Sequence, residues 1–297
     1  MPSLGEGRKD TKLAAILRLI AALPLGFLHA VGSVLGWLMY GMSPTYRRHL
    51  RENLAAAHYD EPRVRRAAIA AAGQMLMEAP ALWFKPHKDV VALVKEVQGL
   101  DAAFAARKAG KAILFLTPHM GAFEIAAQYG ATHFPLTVLY RRPKAEWLDP
   151  VMRAGRGRGG LRLVPADLRG VREIFSAIKR RQAVGFLPDQ VPGKGEGEWS
   201  EFFGRPAYTM TLAAKLALRQ DVACFLAFAR RLPRGAGYAI LIRPLGDPRL
   251  GEKATRRLNR ALEELVAECP EQYLWGYNRY KTPAGAKPHS AVASSSK

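Results

Sequence analysis

Short apolar runs alternate with helical stretches along most of this chain, and that alternation constrains the fold more than any other feature. The strand-like runs are Ala112–Leu116, Leu136–Tyr140, Ala183–Leu187, Cys224–Phe228 and Tyr238–Ile242. The helical stretches between and after them are Phe123–Tyr129, Val171–Arg181, Met210–Leu218 and Thr255–Glu268. Strands that alternate with helices are typical of parallel sheets, so we predict an α/β fold with a mainly parallel sheet flanked by helices.

A histidine and a glutamate follow the first apolar run. Ala112–Leu116 is predicted to be a buried strand that ends at Thr117-Pro118, which places His119 at a strand-to-helix turn. Neutral imidazole accepts a hydroxyl proton at pH 7, so we interpret His119 as a general base and Glu124, in the next turn, as the carboxylate that orients it. No serine or cysteine adjoins His119, which indicates that the substrate supplies the nucleophile. The alternative is a loop histidine beside a glutamate at its favoured helix N-terminus.

An N-terminal segment predicts contact with a membrane. Leu13–Tyr40 is almost continuously apolar, and a basic cluster at Arg47–Arg51 follows it. The segment is longer than the ~20 residues that span hydrocarbon, but Arg18 is costly at depth and Pro24 divides the segment. Spanning and monotopic arrangements therefore both stay open. The alternative is a buried helix pair, and the glycines at 26, 32 and 36 suit close helix packing in either case.

A helical stretch from Ser43 to about Lys85 follows, with a start signal at Ser43-Pro44 and a break near Tyr59–Pro62. Its arginines predict a basic face toward lipid headgroups, although such a run is also typical of a solvated face.

The charge balance predicts an anionic partner. Lys and Arg number 45 against 25 Asp and Glu, which gives a formal charge of +20. Between Arg141 and Arg181 there are twelve Lys or Arg against four acids. Nucleic acid, anionic lipid and an acidic protein all fit this excess. The two cysteines, Cys224 and Cys269, lack the spacing of a zinc site or a disulfide framework.

An ordered set of short motifs resembles the lipid A biosynthesis late acyltransferases, the lauroyl and myristoyl transferases of the lysophospholipid acyltransferase superfamily. The resemblance extends from the N-terminal apolar segment to about Pro283. Each motif is weak alone, but their order is specific. The motifs are His119 with Glu124, Val138–Pro143, Met152-Arg153 with Arg156, Leu187–Gln190, Phe202–Gly204, and Tyr273–Trp275 through Tyr280–Pro283.

The resemblance implies further site residues. Arg156 is the arginine that the resemblance most directly implies for the site, and Arg141 or Arg142 is the second choice. Two residues share the second place because a doubled arginine stands where a single one is commoner in the family. Asp189 and Gln190 resemble the family's Asp-Gln motif, and we expect Asp189 to hold Arg156 or a loop. The alternative for Asp189 is a residue that opens a turn.

The reaction implied is transfer of a fatty acyl group from acyl carrier protein to a hydroxyl of a lipid A precursor, an O-acyl transfer that needs no metal or other cofactor. Backbone N–H groups around Gly121 or a nearby arginine would stabilise the oxyanion. The expected setting is the bacterial inner membrane, with the catalytic domain on the cytoplasmic side. The corresponding division is an anchor at 1–42, an acyltransferase domain at 43–283 with a helical lead-in at 43–93, and a disordered tail at 284–297.

Three alternatives remain at this point. In the first, the acceptor is a lysophospholipid or an aminolipid instead of a lipid A precursor, and the same residues would serve. In the second, the chain is a basic nucleic-acid-binding protein, although it has no recognisable binding motif and we expect no specific nucleic acid partner. In the third, the chain is a catalytically inactive membrane scaffold.

Overall fold

A seven-stranded sheet is the centre of the molecule in the computed structural model, which describes residues 15–143, 148–193, 195–287 and 289. The strands of this sheet are β1 (Val94–Gln98), β2 (Ala112–Leu116), β3 (Leu136–Tyr140), β4 (Leu161–Pro165), β5 (Ala183–Phe186), β8 (Val222–Arg231) and β9 (Tyr238–Pro244). A separate antiparallel hairpin is formed by β6 (Gly197–Phe202) and β7 (Arg205–Met210).

Helices cover both faces of the sheet and precede it in sequence. They are α1 (Leu25–Met42), α2 (Pro44–Ala56), α3 (Pro62–Phe84), α4 (His87–Val91), α5 (Leu100–Lys108), α6 (Phe123–His133), α7 (Leu148–Arg156), α8 (Leu168–Lys179), α9 (Thr211–Leu216) and α10 (Ala254–Ala267). Residues 15–22 are also helical, and the chain breaks at Pro24 before α1 begins.

The strand order is β1-β9-β8-β2-β5-β3-β4. All neighbouring strands pair in parallel except β8 with β9, which are antiparallel. The predicted α/β fold with a mainly parallel sheet is therefore confirmed. Strands β1 and β4 and the hairpin lie outside the predicted runs; β4 is an edge strand inside the basic segment, and only two of its residues are buried.

The core lies on both faces of the sheet because successive strand residues point in opposite directions. Leu114 and Leu116 of β2 pack with residues of α8 and α10. Ile113 and Phe115 of the same strand point to the opposite face of the sheet, where they pack with α6 and with residues of the neighbouring strands. A strand buried on both faces requires a continuous apolar run, and all five residues of β2 are buried.

Helix α1 packs closely against α3 at glycines. A Cβ atom on Gly73 of α3 would overlap the carbonyl oxygen of Gly32, and one on Gly36 would overlap the carbonyl oxygen of Ile69. These contacts let the two backbones approach to a distance that side chains would prevent. The close packing suggested by the glycines of this segment is therefore present.

The opposite side of α1 exposes large apolar side chains. They recur at intervals of three and four residues, as one helix face does: Phe27, Val31, Val34 and Leu38, with Trp37 and Met42 nearby. An exposed apolar stripe of this extent is typical of contact with a membrane or a partner. By length and composition α1 is the one helix in the described part of the chain that could cross a membrane.

The helical stretch that follows begins and breaks as predicted. The Ser43 side chain accepts a hydrogen bond from the Tyr46 N–H at 3.2 Å, and the chain leaves helical structure between Ala56 and Pro62. Most of the predicted tail at 284–297, and residues 1–14 of the predicted anchor, lie outside the described residues.

Replacing Gly73 with Leu should destabilise the protein, because the new side chain forces α1 away from α3. We expect the free energy of unfolding to fall by about 1–3 kcal/mol, the usual cost of overpacking. Gly41→Leu on α1 is the matched control, since a Cβ there has no neighbour within 4 Å. Thermal unfolding of both variants in one detergent measures the difference, and equal melting temperatures would contradict the packing described above.

Candidate active site

Two loops meet at the carboxyl ends of β2 and β5. These strands pair in parallel with Leu116 opposite Phe186, and the Thr117 N–H donates to the Phe186 carbonyl oxygen at 2.9 Å. Parallel strands release their following residues at the same sheet edge. His119 and Asp189 therefore lie side by side, although 70 positions separate them in the chain.

The Asp189 carboxylate holds His119 at two points. Its Oδ2 accepts the His119 backbone N–H at 2.9 Å, and its Oδ1 lies 2.8 Å from the imidazole Nδ1. An ionised carboxylate only accepts hydrogen bonds, so the proton belongs on Nδ1 and the Nε2 lone pair is free to accept. The Gln190 amide nitrogen lies 3.2 Å from Nε2 and donates to it. His119 is thus set in the tautomer that a general base requires.

Asp189 is ionised at neutral pH despite its burial. Burial alone would raise the pKa of this carboxyl group, which is 2% exposed. Electrostatic attraction to the His119 ring and the hydrogen bonds that Asp189 accepts outweigh burial and lower the pKa below its ordinary value.

The prediction that Glu124 orients His119 is corrected by this geometry. The Glu124 carboxylate accepts hydrogen bonds from Arg156, with Nε at 2.9 and 2.8 Å from its two oxygens and Nη2 also in contact. Its Oε2 also accepts from the Trp83 indole N–H at 3.2 Å. Glu124 stands in the first turn of α6, beyond the left-handed turn at Gly121 (φ 56°), and from there it meets α3 and α7. Of the two roles expected for Asp189, holding Arg156 is wrong and holding a loop agrees with the structure, because Asp189 binds the backbone and side chain of His119.

Arg156 is enclosed by the carboxylate and two aromatic rings. Its guanidinium carbon lies 5.5 Å from the Trp83 ring centroid and 5.6 Å from that of Tyr140. Burial would lower the pKa of Arg156, but the charge and hydrogen bonds of Glu124 raise it overall. This cation therefore has a fixed place against the first turn of α6, the helix that follows His119, and Trp83 is a site residue that no spacing in the sequence indicated.

The four backbone N–H groups from His119 to Ala122 all have acceptors of their own, so none of these four is available to an oxyanion. The bonds are His119 N to Asp189 Oδ2, Met120 N to Pro118 O, Gly121 N to Gln272 O and Ala122 N to Ala229 O. Of the two kinds of oxyanion donor expected from the sequence, the nearby arginine remains.

A cavity of about 870 Å³ opens at this site. Six of the seven predicted site residues line it: His119, Glu124, Arg141, Arg142, Arg156 and Gln190. Asp189 lies behind His119. The rest of the wall is largely apolar and follows one face of the sheet and the facing side of α6, with contributions from Phe115, Ala126, Ala127, Gly130, Leu136, Val138, Ile240 and Ile242.

This shape suits a molecule with a hydrocarbon chain. The lining strands run from β9 to β4 across the sheet, and neighbouring strands lie about 4.8 Å apart, so the apolar part is elongated. Arg141 and Arg142 are exposed, and they follow β3 at the same sheet edge as His119. The arrangement combines a histidine that accepts at Nε2, a partly buried cation and an apolar channel with a basic rim.

Comparison with known proteins gives consistent matches over most of the chain. A family described as bacterial lipid A biosynthesis acyltransferase matches residues 12–282. The lipid A biosynthesis palmitoleoyltransferase of Escherichia coli (strain K12) is 27% identical over 217 residues, 72% of this chain and 70% of that protein. The lauroyltransferase of the same organism is 25% identical over 276 residues, covering 90% and 89%. Its myristoyltransferase is 26% identical over 277 residues, covering 89% and 84%.

Asp189→Asn should lower the free energy of unfolding, by an amount that depends on pH. A carboxyl group whose pKa is lowered by folding stabilises the protein above its unfolded pKa of about 3.9, and this contribution is lost as the pH falls through the folded pKa. We expect the variant to be less stable by about 1–3 kcal/mol at pH 7, with the difference shrinking below about pH 4.

Urea unfolding at a series of pH values measures this difference. The comparison variant is Asp221→Asn, at the opposite end of the sheet, where Arg219 also lowers the pKa of a half-exposed carboxylate that pairs with Arg219 and Arg181. Because water screens that pair, its loss should cost less at pH 7 than the loss of the Asp189 carboxylate. A difference between Asp189→Asn and the native protein that stayed constant down to pH 3 would contradict the ionised Asp189–His119 pair.

Proposed function

The chain belongs to the bacterial lipid A biosynthesis acyltransferases, which are O-acyltransferases, and we propose that it moves a fatty acyl group from acyl carrier protein to a hydroxyl of a lipid A precursor with His119 as the general base. One observation supports the mechanism above the others. The Nε2 lone pair of His119 faces a cavity with an apolar channel, while Asp189 occupies Nδ1.

The first step is attack by the acceptor hydroxyl. The hydroxyl takes the place of the Gln190 amide at Nε2 and gives its proton to His119 as its oxygen bonds to the thioester carbonyl carbon. The electron pair of the carbonyl moves to its oxygen, which becomes the oxyanion. Asp189 stabilises the imidazolium that forms, since its carboxylate already accepts from Nδ1.

The second step releases the donor. The oxyanion returns its electron pair, the carbon–sulfur bond breaks, and the thiolate takes the proton from Nε2 of His119. The products are an ester and a thiol, and His119 is again neutral. Arg156 is the cation that supports the oxyanion in this proposal, since the backbone N–H groups of the turn are occupied.

Glu124 acts through Arg156 in this scheme. Two hydrogen bonds to a planar guanidinium fix its direction better than a single contact does. Trp83 fixes the carboxylate in turn. Glu124 thereby keeps its place in the site as a positioning residue.

The apolar channel is the proposed place for the acyl chain. Its wall of aliphatic and aromatic side chains carries no charge along the sheet face, which suits a hydrocarbon tail. The three relatives described above are named for three different acyl groups, so the depth of this channel is the feature of this chain that sets the preferred length.

The basic rim is the proposed contact for both substrates. Arginine binds phosphate through paired hydrogen bonds, and both the phosphates of a lipid A precursor and the acidic surface of acyl carrier protein are anionic. Arg141 and Arg142 are exposed beside the cavity and have the freedom to meet them.

Helix α1 is the proposed membrane anchor, within residues 1–42. Its exposed apolar stripe enters the lipid, and Arg47, Arg48 and Arg51 follow directly on α2. Positive residues next to an apolar segment favour the cytoplasmic side, so we place residues 43–283 in the cytoplasm at the inner membrane.

His119→Ala should abolish acyl transfer while the fold remains intact. The assay is transfer of a labelled acyl group from acyl carrier protein, in detergent, to a tetra-acylated lipid A precursor and in parallel to lysophosphatidate. We expect the label in the disaccharide, and a loss in the variant of about 100-fold or more, the range of general-base catalysis.

His49→Ala on α2, a histidine outside the cavity, is the control and should keep native turnover. Label in the glycerolipid alone would keep the chemistry and replace the acceptor. Native turnover by His119→Ala would contradict the proposed mechanism.

Gly130→Leu should shorten the acyl chain that the enzyme prefers. Gly130 lines the channel from α6, and a Cβ there would lie 3.6 Å from a Leu136 methyl group, so added carbons fill channel space without backbone overlap. We expect kcat/KM for the longest native donor to fall about tenfold relative to a donor two carbons shorter. Ala102→Leu, exposed on α5, is the control for the added side chain. An unchanged ratio would contradict the placement of the chain.

A further inference from the structure

A buried arginine outside the cavity contacts the catalytic turn. Arg231 ends β8 and is 5% exposed, and its Nη2 donates to the Gly121 carbonyl oxygen at 2.6 Å. Gly121 lies two residues after His119. Its position admits only glycine, because φ is 56° and a Cβ would overlap the carbonyl oxygen of Ala229.

Gln272 completes the contact from the other side. The Gly121 N–H donates to the Gln272 carbonyl oxygen at 2.9 Å. The Gln272 side chain accepts from the Arg231 N–H at 2.9 Å and donates to the Arg231 carbonyl oxygen at 3.2 Å. Both polar atoms of the Gly121 backbone are therefore bound to one unit made of Arg231 and Gln272.

Arg231 is fixed in turn by a buried carboxylate. Its Nε and Nη2 donate to the two oxygens of Glu78 at 2.9 and 2.6 Å. Glu78 is 1% exposed, and its Oε2 also accepts from the Tyr238 hydroxyl and faces His29 Nε2, each at 3.0 Å. Burial would raise the pKa of Glu78, but Arg231 and His29 lower it below its ordinary value.

These contacts join helix α1 to the turn. His29 belongs to α1, Glu78 to α3 and Arg231 to β8, and the last contact is at Gly121. Apolar side chains of similar volume would stabilise the fold as well as this buried ion pair does. A guanidinium, in contrast, offers several donors in a rigid plane, so it can hold a carboxylate and a carbonyl at a fixed angle to each other.

We propose that Arg231 is a positioning residue for acyl transfer: it fixes the Gly121 carbonyl and with it the direction of His119, and the Glu78–His29 contacts make that direction depend on how α1 sits against α3. This inference rests on the proposed function of His119. It gives the membrane helix a part in setting the geometry of the catalytic turn as well as holding the protein at the bilayer.

The test separates positioning from stability with a double variant. Arg231→Met alone leaves a carboxylate buried without its main partner, so both melting temperature and kcat should fall. Glu78→Gln with Arg231→Met removes both charges and should restore most of the melting temperature. Because the donor to Gly121 is still missing, kcat should remain about tenfold or more below native, with KM for the acceptor within about twofold.

Arg260→Met with Glu252→Gln is the matched control. This pair on and before α10 has the same two-point geometry, at 2.8 and 2.9 Å, and side chains 11% and 6% exposed. It lies outside the cavity and the turn. The control should change the melting temperature and leave kcat native. Native kcat in the Glu78→Gln/Arg231→Met double variant would overturn the positioning role.

Two further variants test the chemistry and the α1 end. Arg231→Lys keeps the charge but loses the planar fork, so its kcat should lie between those of the native protein and Arg231→Met. His29→Ala should lower kcat about threefold or more without changing KM, and unchanged kcat would overturn the link to α1.

The proposed function fails separately, if His119→Ala still turns over. If His119→Ala is inactive while the double variant has native kcat, only the positioning role fails.

Discussion

The parallel pairing of β2 with β5 is the constraint on which the site depends. Leu116 and Phe186 end these strands opposite each other, so the two loops that follow both begin at the same edge of the sheet. Three residues into each loop stand His119 and Asp189. A shift of the register by one residue would turn every side chain of a strand to the other face and separate the pair, so the buried apolar pattern of both strands also fixes the chemistry.

Three buried carboxylates then fix the parts of the site relative to one another. Asp189 holds His119, Glu124 holds Arg156, and Glu78 holds Arg231. Each carboxylate is at most 9% exposed, so each depends on its partner to compensate for the water it has lost. Removing one member of the most deeply buried charge pair, Glu78 with Arg231, costs about 3–5 kcal/mol, because the other charge stays buried. The pairs therefore act as rigid joints between elements that are far apart in sequence.

The sequence predicts five strands of the sheet and the place of His119, but not the edge strands β1 and β4, the hairpin or the partner of His119. The runs Ala112–Leu116 and Leu136–Tyr140 match β2 and β3, because a strand buried on both faces is a continuous apolar run. Spacing alone predicts Glu124 as the residue that orients His119. The left-handed turn at Gly121 lies between the two residues, and the partner that the fold supplies is 70 positions away. Only the strand order and register bring Asp189 to His119, and neither can be predicted from the spacing of nearby residues.

The basic composition indicated an anionic partner, but the fold uses many of these arginines internally. Arg158 donates to the carbonyl oxygens of Leu82 and Lys85, and Arg156 is bound to Glu124. Arg141 and Arg142 remain exposed where the cavity meets the surface. Polarity therefore changes along the cavity, from an exposed cationic rim to a channel lined by hydrocarbon. An amphipathic substrate has one favourable orientation in such a gradient, with its anionic group at the rim and its tail inside. In the proposed reaction the carbonyl at the junction of the two would lie beside His119, which lines the same cavity.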